Sequence, residues 1–177
     1  MSSQEFEAKL GFGLAGESVI ARFLRGRGNA VLPAYEKIID TGKGPRLFMP
    51  NGVLVAPDFL VWKGMRALWI EAKSKTAFTW YRIGERWTTG IDLRHYRDYL
   101  NVAYQSPFPI WVLFLQGFGT AKDSPPNMPL PQPGLYGNDL LYLRDHESHQ
   151  SDNWGKSGMV YWSVDDLRLV ARYDGIE

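Results

Sequence analysis

The sequence predicts an α/β protein, helices with one mixed sheet, and three observations carry that prediction. Two runs rich in β-branched and aromatic residues, 53–62 and 67–73, flank the turn Lys63-Gly64-Met65-Arg66 and read as paired antiparallel strands. Apolar residues at helical spacing mark two amphipathic segments, one near the N-terminus and one over 92–104. After the second, Ile110-Trp111-Val112-Leu113-Phe114-Leu115 is apolar without alternation, the pattern of a strand buried on both faces.

In chain order, Ser2 or Ser3 caps a first helix whose apolar face is Phe6, Leu10, Leu14, Val19, Ile20, Phe23 and Leu24. Gly11, Gly13 and Gly16 predict a break or kink in it, and Arg25-Gly26-Arg27-Gly28-Asn29 ends it. Residues 30–39 form a first strand, with Pro33 placing it at an edge or giving it an irregular start. A short extra strand over 46–49 precedes the turn Pro50-Asn51-Gly52 and the paired runs. Residues 78–90 read as an aromatic and basic loop. The second helix, with Leu93, Tyr96, Leu100 and Ala103 on one face, is stopped by Pro107 and Pro109.

Beyond residue 120 the organisation loosens. A proline-rich loop covers 125–133, short strands are expected at 135–143 and 159–162, and 145–158 is polar and reads as mobile. Ser163-Val164-Asp165-Asp166 resembles a capping box, predicting a last helix over 165–172. The expected organisation is a core over 1–120 and a C-terminal extension over 121–177 packed on it, one domain overall.

Composition bounds the possibilities. At 177 residues the chain suits one domain, and a chain of this size buries roughly two-thirds of its unfolded surface. A hydrophobic content of 45% with seven tryptophans marks a globular protein. The formal net charge is +1, so any nucleic-acid contact must come from local basic patches and bound metal. There is no cysteine, which excludes disulfides, thiolate zinc sites, iron–sulfur clusters and a cysteine nucleophile. The longest apolar run is too short to span a bilayer, and the N-terminus lacks a signal-peptide layout, so a soluble cytoplasmic protein with no membrane partner is expected.

The chemistry converges on Asp58, Glu71 and Lys73. Side chains alternate along a strand, so Trp69, Glu71 and Lys73 share one face while Leu68, Ile70 and Ala72 point into a core. Asp58 follows Pro57 within an otherwise apolar run, and a proline there marks a strand start, an edge or a bulge. Two carboxylates close together repel unless a cation lies between them, and Mg2+ takes such oxygens together with waters and substrate phosphate. A lysine beside them is a point charge that can orient or deprotonate a water, or stabilise a phosphorane-like transition state. The reaction these groups suit is metal-assisted phosphodiester hydrolysis.

Other motifs accompany that cluster. Gly11-Phe12-Gly13-Leu14-Ala15-Gly16 has dinucleotide-binding spacing but follows helix rather than strand, so that reading is rejected. His146-Glu147-Ser148-His149 lacks the spacing of a helical zinc motif and reads as a solvated loop. Trp80, Tyr81, Arg82, Arg86 and Trp87 follow the catalytic strand and suit either nucleic-acid binding, aromatics stacking on bases and arginines meeting phosphates, or a hydrophobic hairpin folded onto the sheet. Arg22, Arg25, Arg27, Arg94 and Arg97 are further phosphate candidates.

The element order, with Pro57-Asp58 followed by Glu71-Ala72-Lys73, resembles the PD-(D/E)XK nuclease superfamily over about residues 3–116. Gly16-Glu17, with Val19, Ile20, Ala21 and Leu24 after it, is similar to the first-helix motif of the resolvase-like branch. The resemblance implies a restriction-endonuclease-like αβββαβ core and a magnesium- or manganese-dependent endonuclease acting on DNA. It implies Asp58, Glu71 and the Ala72 backbone carbonyl as metal ligands, Lys73 as the catalytic lysine and Glu17 as an accessory acid at the metal. Some branches also place a glutamine or tyrosine of the second helix at the site, for which His95, Tyr96, Tyr99 and Gln105 are available. A homodimer or a place in a larger nucleic-acid-processing complex is expected. The alternatives are a non-catalytic nucleic-acid-binding or assembly subunit of the same fold, and a ribonuclease.

Overall fold

The computed structural model describes residues 3–34, 45–50, 52–121, 124–153 and 157–176, with side chains from residue 15 onward. The first helix, α1 (Ser3–Gly26), runs without the expected break. Gly16 serves another purpose: a Cβ there would lie 1.4 Å from Ser74 Oγ, so the glycine lets the helix lie directly on a strand.

The strand β1 (Ala30–Pro33) follows; the rest of the stretch read as strand, 35–39, lies outside the described residues. β2 (Arg46–Met49) and β3 (Gly52–Val55) form a separate hairpin. The run 53–62, read as one strand, is thus two: Pro57 breaks it, and β4 (Phe59–Lys63) begins two residues later. β4 pairs antiparallel with β1 on one side and with β5 (Arg66–Lys75) on the other. Over 78–90, where a binding loop and a packed hairpin were both open, the chain forms a hairpin, β6 (Thr79–Tyr81) and β7 (Arg86–Asp92).

Asp92 then caps α2 (Leu93–Gln105), its side chain accepting from the Arg94 N–H, and buries Leu93, Tyr96, Tyr99 and Val102. β8 (Ile110–Gln116) returns parallel to β5, from Trp69↔Ile110 to Lys75↔Gln116. The next strand, β9 (Gly134–Asp139), is shorter than expected because Asp139 accepts from the Leu141 and Tyr142 N–H groups and starts α3 (Leu140–Asp145). Within the segment read as mobile, β10 (His149–Ser151) pairs with β11 (Met159–Ser163).

The expected last helix is corrected. Ser163 does accept from the Asp165 N–H, but what it starts is a single 3-10 turn over Val164–Asp166. The chain then runs as β12 (Arg168–Arg172) antiparallel to β9, with a register shift between Leu169 and Ala171. A local cap signal loses to a ladder of backbone hydrogen bonds with a strand far away in sequence.

The main sheet has the order β1–β4–β5–β8–β9–β12, and a second sheet has the order β10–β11–β7–β6. α1 covers one face of the main sheet, burying Ile20 and Phe23 against Phe59, Ile70, Leu113 and Leu135. On the other face α2, α3 and the second sheet enclose Val112, Phe114, Tyr99, Leu140 and Trp162. Residues 121–177 are therefore not laid over a finished core; they supply two strands to each sheet. Among the described residues no helix is long and apolar enough to cross a membrane.

Candidate active site

The site forms where β4 stops pairing with β5. Their ladder ends at Phe59↔Ile70, and β5 continues to Lys75 with only its β8 edge paired. Asp58, just before β4, takes over the missing acceptor: the Ala72 N–H donates to its Oδ2 at 2.8 Å. This holds Asp58 beside Glu71. The Glu71 side chain is fully buried, makes an ion pair with the Lys73 ammonium, and has no well-formed hydrogen bond on either carboxylate oxygen. Lys73 keeps 29% of its side chain exposed while its ammonium pairs with the buried Glu71.

Helices close on this edge from both faces. α1 brings Glu17 near Asp58 and Lys73 because Gly16 holds the helix against Ser74. α2 brings the Tyr99 hydroxyl towards Glu71 and Asp58, and the His95 ring towards Lys73. Sequence reasoning named both residues without assigning them a place. Their spacing, one helical turn apart after the Asp92 cap, is the signal that could have found them. Tyr96, by contrast, belongs to the core, packing edge-on to Trp162, and donates to Glu147 at 2.5 Å.

The protonation pattern follows from crowded acids. Burial, then the Glu71 charge, pushes the Asp58 carboxyl up to about 7 against the pull of Lys73 and the Ala72 N–H. Burial, then the Asp58 charge, pushes Glu17 up to about 7 as well. Lys73 shifts upward. Burial alone would lower it, but the Glu71, Asp58 and Glu17 carboxylates outweigh burial and hold it above its usual range. Burial, then the Lys73 charge, brings Lys75 down to about 8.

These shifts fix the sign of a pH dependence. Asp58 and Glu17 bind protons more tightly in the folded chain than at their ordinary values of 3.8 and 4.5. Their stabilising contribution is complete below those values and is lost as pH rises through about 7. Thermal melts in a chelator are expected to show a transition temperature that falls from pH 5 to pH 8, with a shallower fall in Asp58→Asn. Parallel curves for the two proteins would contradict the crowding.

No protein-family model matches the chain, and no curated protein matches it. Among solved structures it is similar to Hjc, a Holliday junction resolvase from the archaeal hyperthermophile Archaeoglobus fulgidus. The identity is 10% and the TM-score 0.50, over 87% of this chain and 90% of that one. The fold is restriction-endonuclease-like. Within it, Asp58, Glu71, Lys73 and Glu17 all reach one edge of β5.

A divalent cation fits the residues present there. A fully buried carboxylate without a well-formed hydrogen bond, next to a second held protonated near neutrality by repulsion, is a donor set that a cation would relieve. Among the described residues no group of three histidine, aspartate or glutamate side chains is placed to hold an ion. A cation there would find a pair of carboxylates, Asp58 and Glu71, beside the Ala72 backbone.

The residues read as nucleic-acid-binding divide. Tyr81 and Arg82 line a groove on the second sheet. The exposed Arg86 folds back, its Nε donating to the Gly84 carbonyl at 3.0 Å. Trp80 is partly buried and meets Trp87 edge-on. Trp87 belongs to the core, 6% exposed, with its indole N–H donated to the Pro129 carbonyl at 2.9 Å. Alternation along β7 sends that ring inward, a direction the sequence could not give without the pairing register. His146 stacks on Tyr142.

Proposed function

We propose that the protein is a magnesium- or manganese-dependent endonuclease that hydrolyses phosphodiester bonds in DNA. The observation that carries this reading is the assembly of Asp58, Glu71, Lys73 and Glu17 at the unpaired edge of β5. Asp58, Glu71 and the Ala72 carbonyl would hold the cation. When bound, it supplies positive charge that neutralises the scissile phosphate and acidifies water.

The chain's own groups then have separable tasks. Lys73, kept charged by its carboxylate neighbours, donates to the phosphate oxygens on which negative charge develops. Glu17, near neutrality in proton affinity and half-buried at the rim, accepts a proton from the attacking water. The water oxygen bonds to phosphorus, the bond from phosphorus to the leaving sugar oxygen breaks, and that oxygen takes a proton from solvent. Tyr99 flanks Glu71 from the α2 side.

The likeness to a Holliday junction resolvase makes four-way-junction DNA the first substrate to try. Cutting two strands of such a molecule calls for two sites, which a homodimer provides. Purified protein is expected to cleave junction, linear, supercoiled or single-stranded DNA with Mg2+ or Mn2+ and to stop on addition of EDTA. Cleavage of RNA alone would move the substrate class, and no cleavage of any nucleic acid would leave a non-catalytic subunit.

A further inference from the structure

We propose that the outer face of the second sheet binds an unpaired nucleobase of single-stranded nucleic acid, a site that rests on, and extends, the nuclease reading above. Tyr81 of β6, His149 of β10 and Tyr161 of β11 form a three-ring stack there. Tyr81 and His149 lie 3.7 Å apart at 8°, and His149 and Tyr161 lie 4.6 Å apart at 4°. Rings in the core meet edge to face instead, Phe78 with Tyr136 at 88° and Tyr96 with Trp162 at 71°, the usual preference of packed aromatic pairs. Near-parallel rings at this spacing have the geometry of stacked bases, and every base has a flat face to add to such a stack.

Two glycines make the flat arrangement possible. A Cβ at Gly90 would come within 2.8 Å of Tyr161 Cδ1 and 2.1 Å of the Val160 carbonyl oxygen. A Cβ at Gly84 would come within 2.7 Å of Tyr81 Cδ1. Both positions need glycine for the tyrosine rings to lie where they do.

The stack borders a groove of about 650 Å³, within the range of small-ligand sites. Thr79 and Ser151 contribute hydroxyl groups, and Gln150 an amide oxygen, that can read base edges. Arg82 also lines the groove, a guanidinium of the kind that meets phosphate. The groove is also tied to the catalytic strand. β6 starts shortly after β5 ends, so Tyr81 lies at most about 26 Å from Lys73 at about 3.3 Å per residue. A strand gripped at one place reaches the other within a few nucleotides.

The test compares fluorescence anisotropy of labelled single-stranded DNA, single-stranded RNA and blunt duplex DNA, with wild type, Tyr81→Ala, Tyr81→Trp and Thr79→Glu. Thermal melts establish that each variant folds, and Thr79 is exposed, so Thr79→Glu adds charge to the groove without touching the core. Loss of one stacked base is expected to lower the ratio of single-strand to duplex affinity about 5- to 150-fold in Tyr81→Ala. Thr79→Glu should lower that ratio too, and Tyr81→Trp should restore it. The DNA and RNA arms show which polymer is preferred, and a Tyr81-dependent ratio with either supports the site. An unchanged ratio in folded Tyr81→Ala and Thr79→Glu overturns it, even if DNA is cleaved. Tyr81-dependent binding with no cleavage by wild type keeps the site and removes the nuclease reading.

Discussion

Asp58→Asn is expected to lower cation-dependent cleavage at least about 100-fold while raising the melting temperature of the cation-free protein at neutral pH. Asparagine keeps an oxygen to accept from the Ala72 N–H, so the local turn survives. What it removes is a charge held against Glu71 and Glu17, the repulsion that drives Asp58 and Glu17 up to about 7. The same substitution deletes one of the two carboxylates a cation would use, so added Mg2+ or Mn2+ should raise the melting temperature of wild type but not of the variant. Lys73→Ala separates the two effects. It should also abolish cleavage, yet it leaves the fully buried Glu71 without its counter-ion. Breaking such a pair costs about 3–5 kcal/mol when both partners are buried, and the partial exposure of Lys73 puts this one at or below the lower end. Opposite shifts in cation-free stability with a common loss of cleavage are the signature of this cluster. Retention of cleavage by either variant would remove it from the chemistry.

Gly16→Val should be the most damaging single substitution on α1. Even its first carbon would lie 1.4 Å from Ser74 Oγ and 2.7 Å from Ser74 Cβ. Replacing a helical glycine ordinarily gains up to about 1 kcal/mol, but an overlap this deep cannot be absorbed by a small shift. The helix must lift from β5, which costs about 1–3 kcal/mol and several degrees in melting temperature for a chain of this size. Glu17 moves with it, so cleavage falls in the folded fraction too. Gly16→Ala paired with Ser74→Gly should recover much of both, since the nearest remaining atom, the Ser74 Cα, is 3.7 Å away. Full stability in Gly16→Val would show that the helix does not rest on the strand through this contact.

The parts of the molecule that the sequence disclosed are those whose signal is local. The pairing of β4 with β5 could be read from two apolar runs about a glycine turn, and the shared face of Glu71 and Lys73 from simple alternation. Asp58 stood out because Pro57 interrupts the run ahead of it. Tyr99 and His95 did not, because an aromatic on the inner face of a helix looks the same whether it touches core or catalytic groups. The hairpin of β6 and β7 stayed one of two readings because its turn lacks the usual signal: Glu85 takes a φ of 47° in place of a glycine. β12 was misread because Ser163 offers a real cap, and its competitor, the outer edge of β9, is visible only in three dimensions.

The strand order has a bearing on how the molecule comes to be made. β8 is apolar on both sides and leaves the ribosome well before β9, the neighbour that shields its second edge, and β12 arrives later still. Until then a sticky, unpaired ribbon is on offer to any other nascent chain. Expression of prematurely terminated forms should therefore yield inclusion bodies, and recovery of the full-length protein from denaturant should improve with dilution or a holdase chaperone.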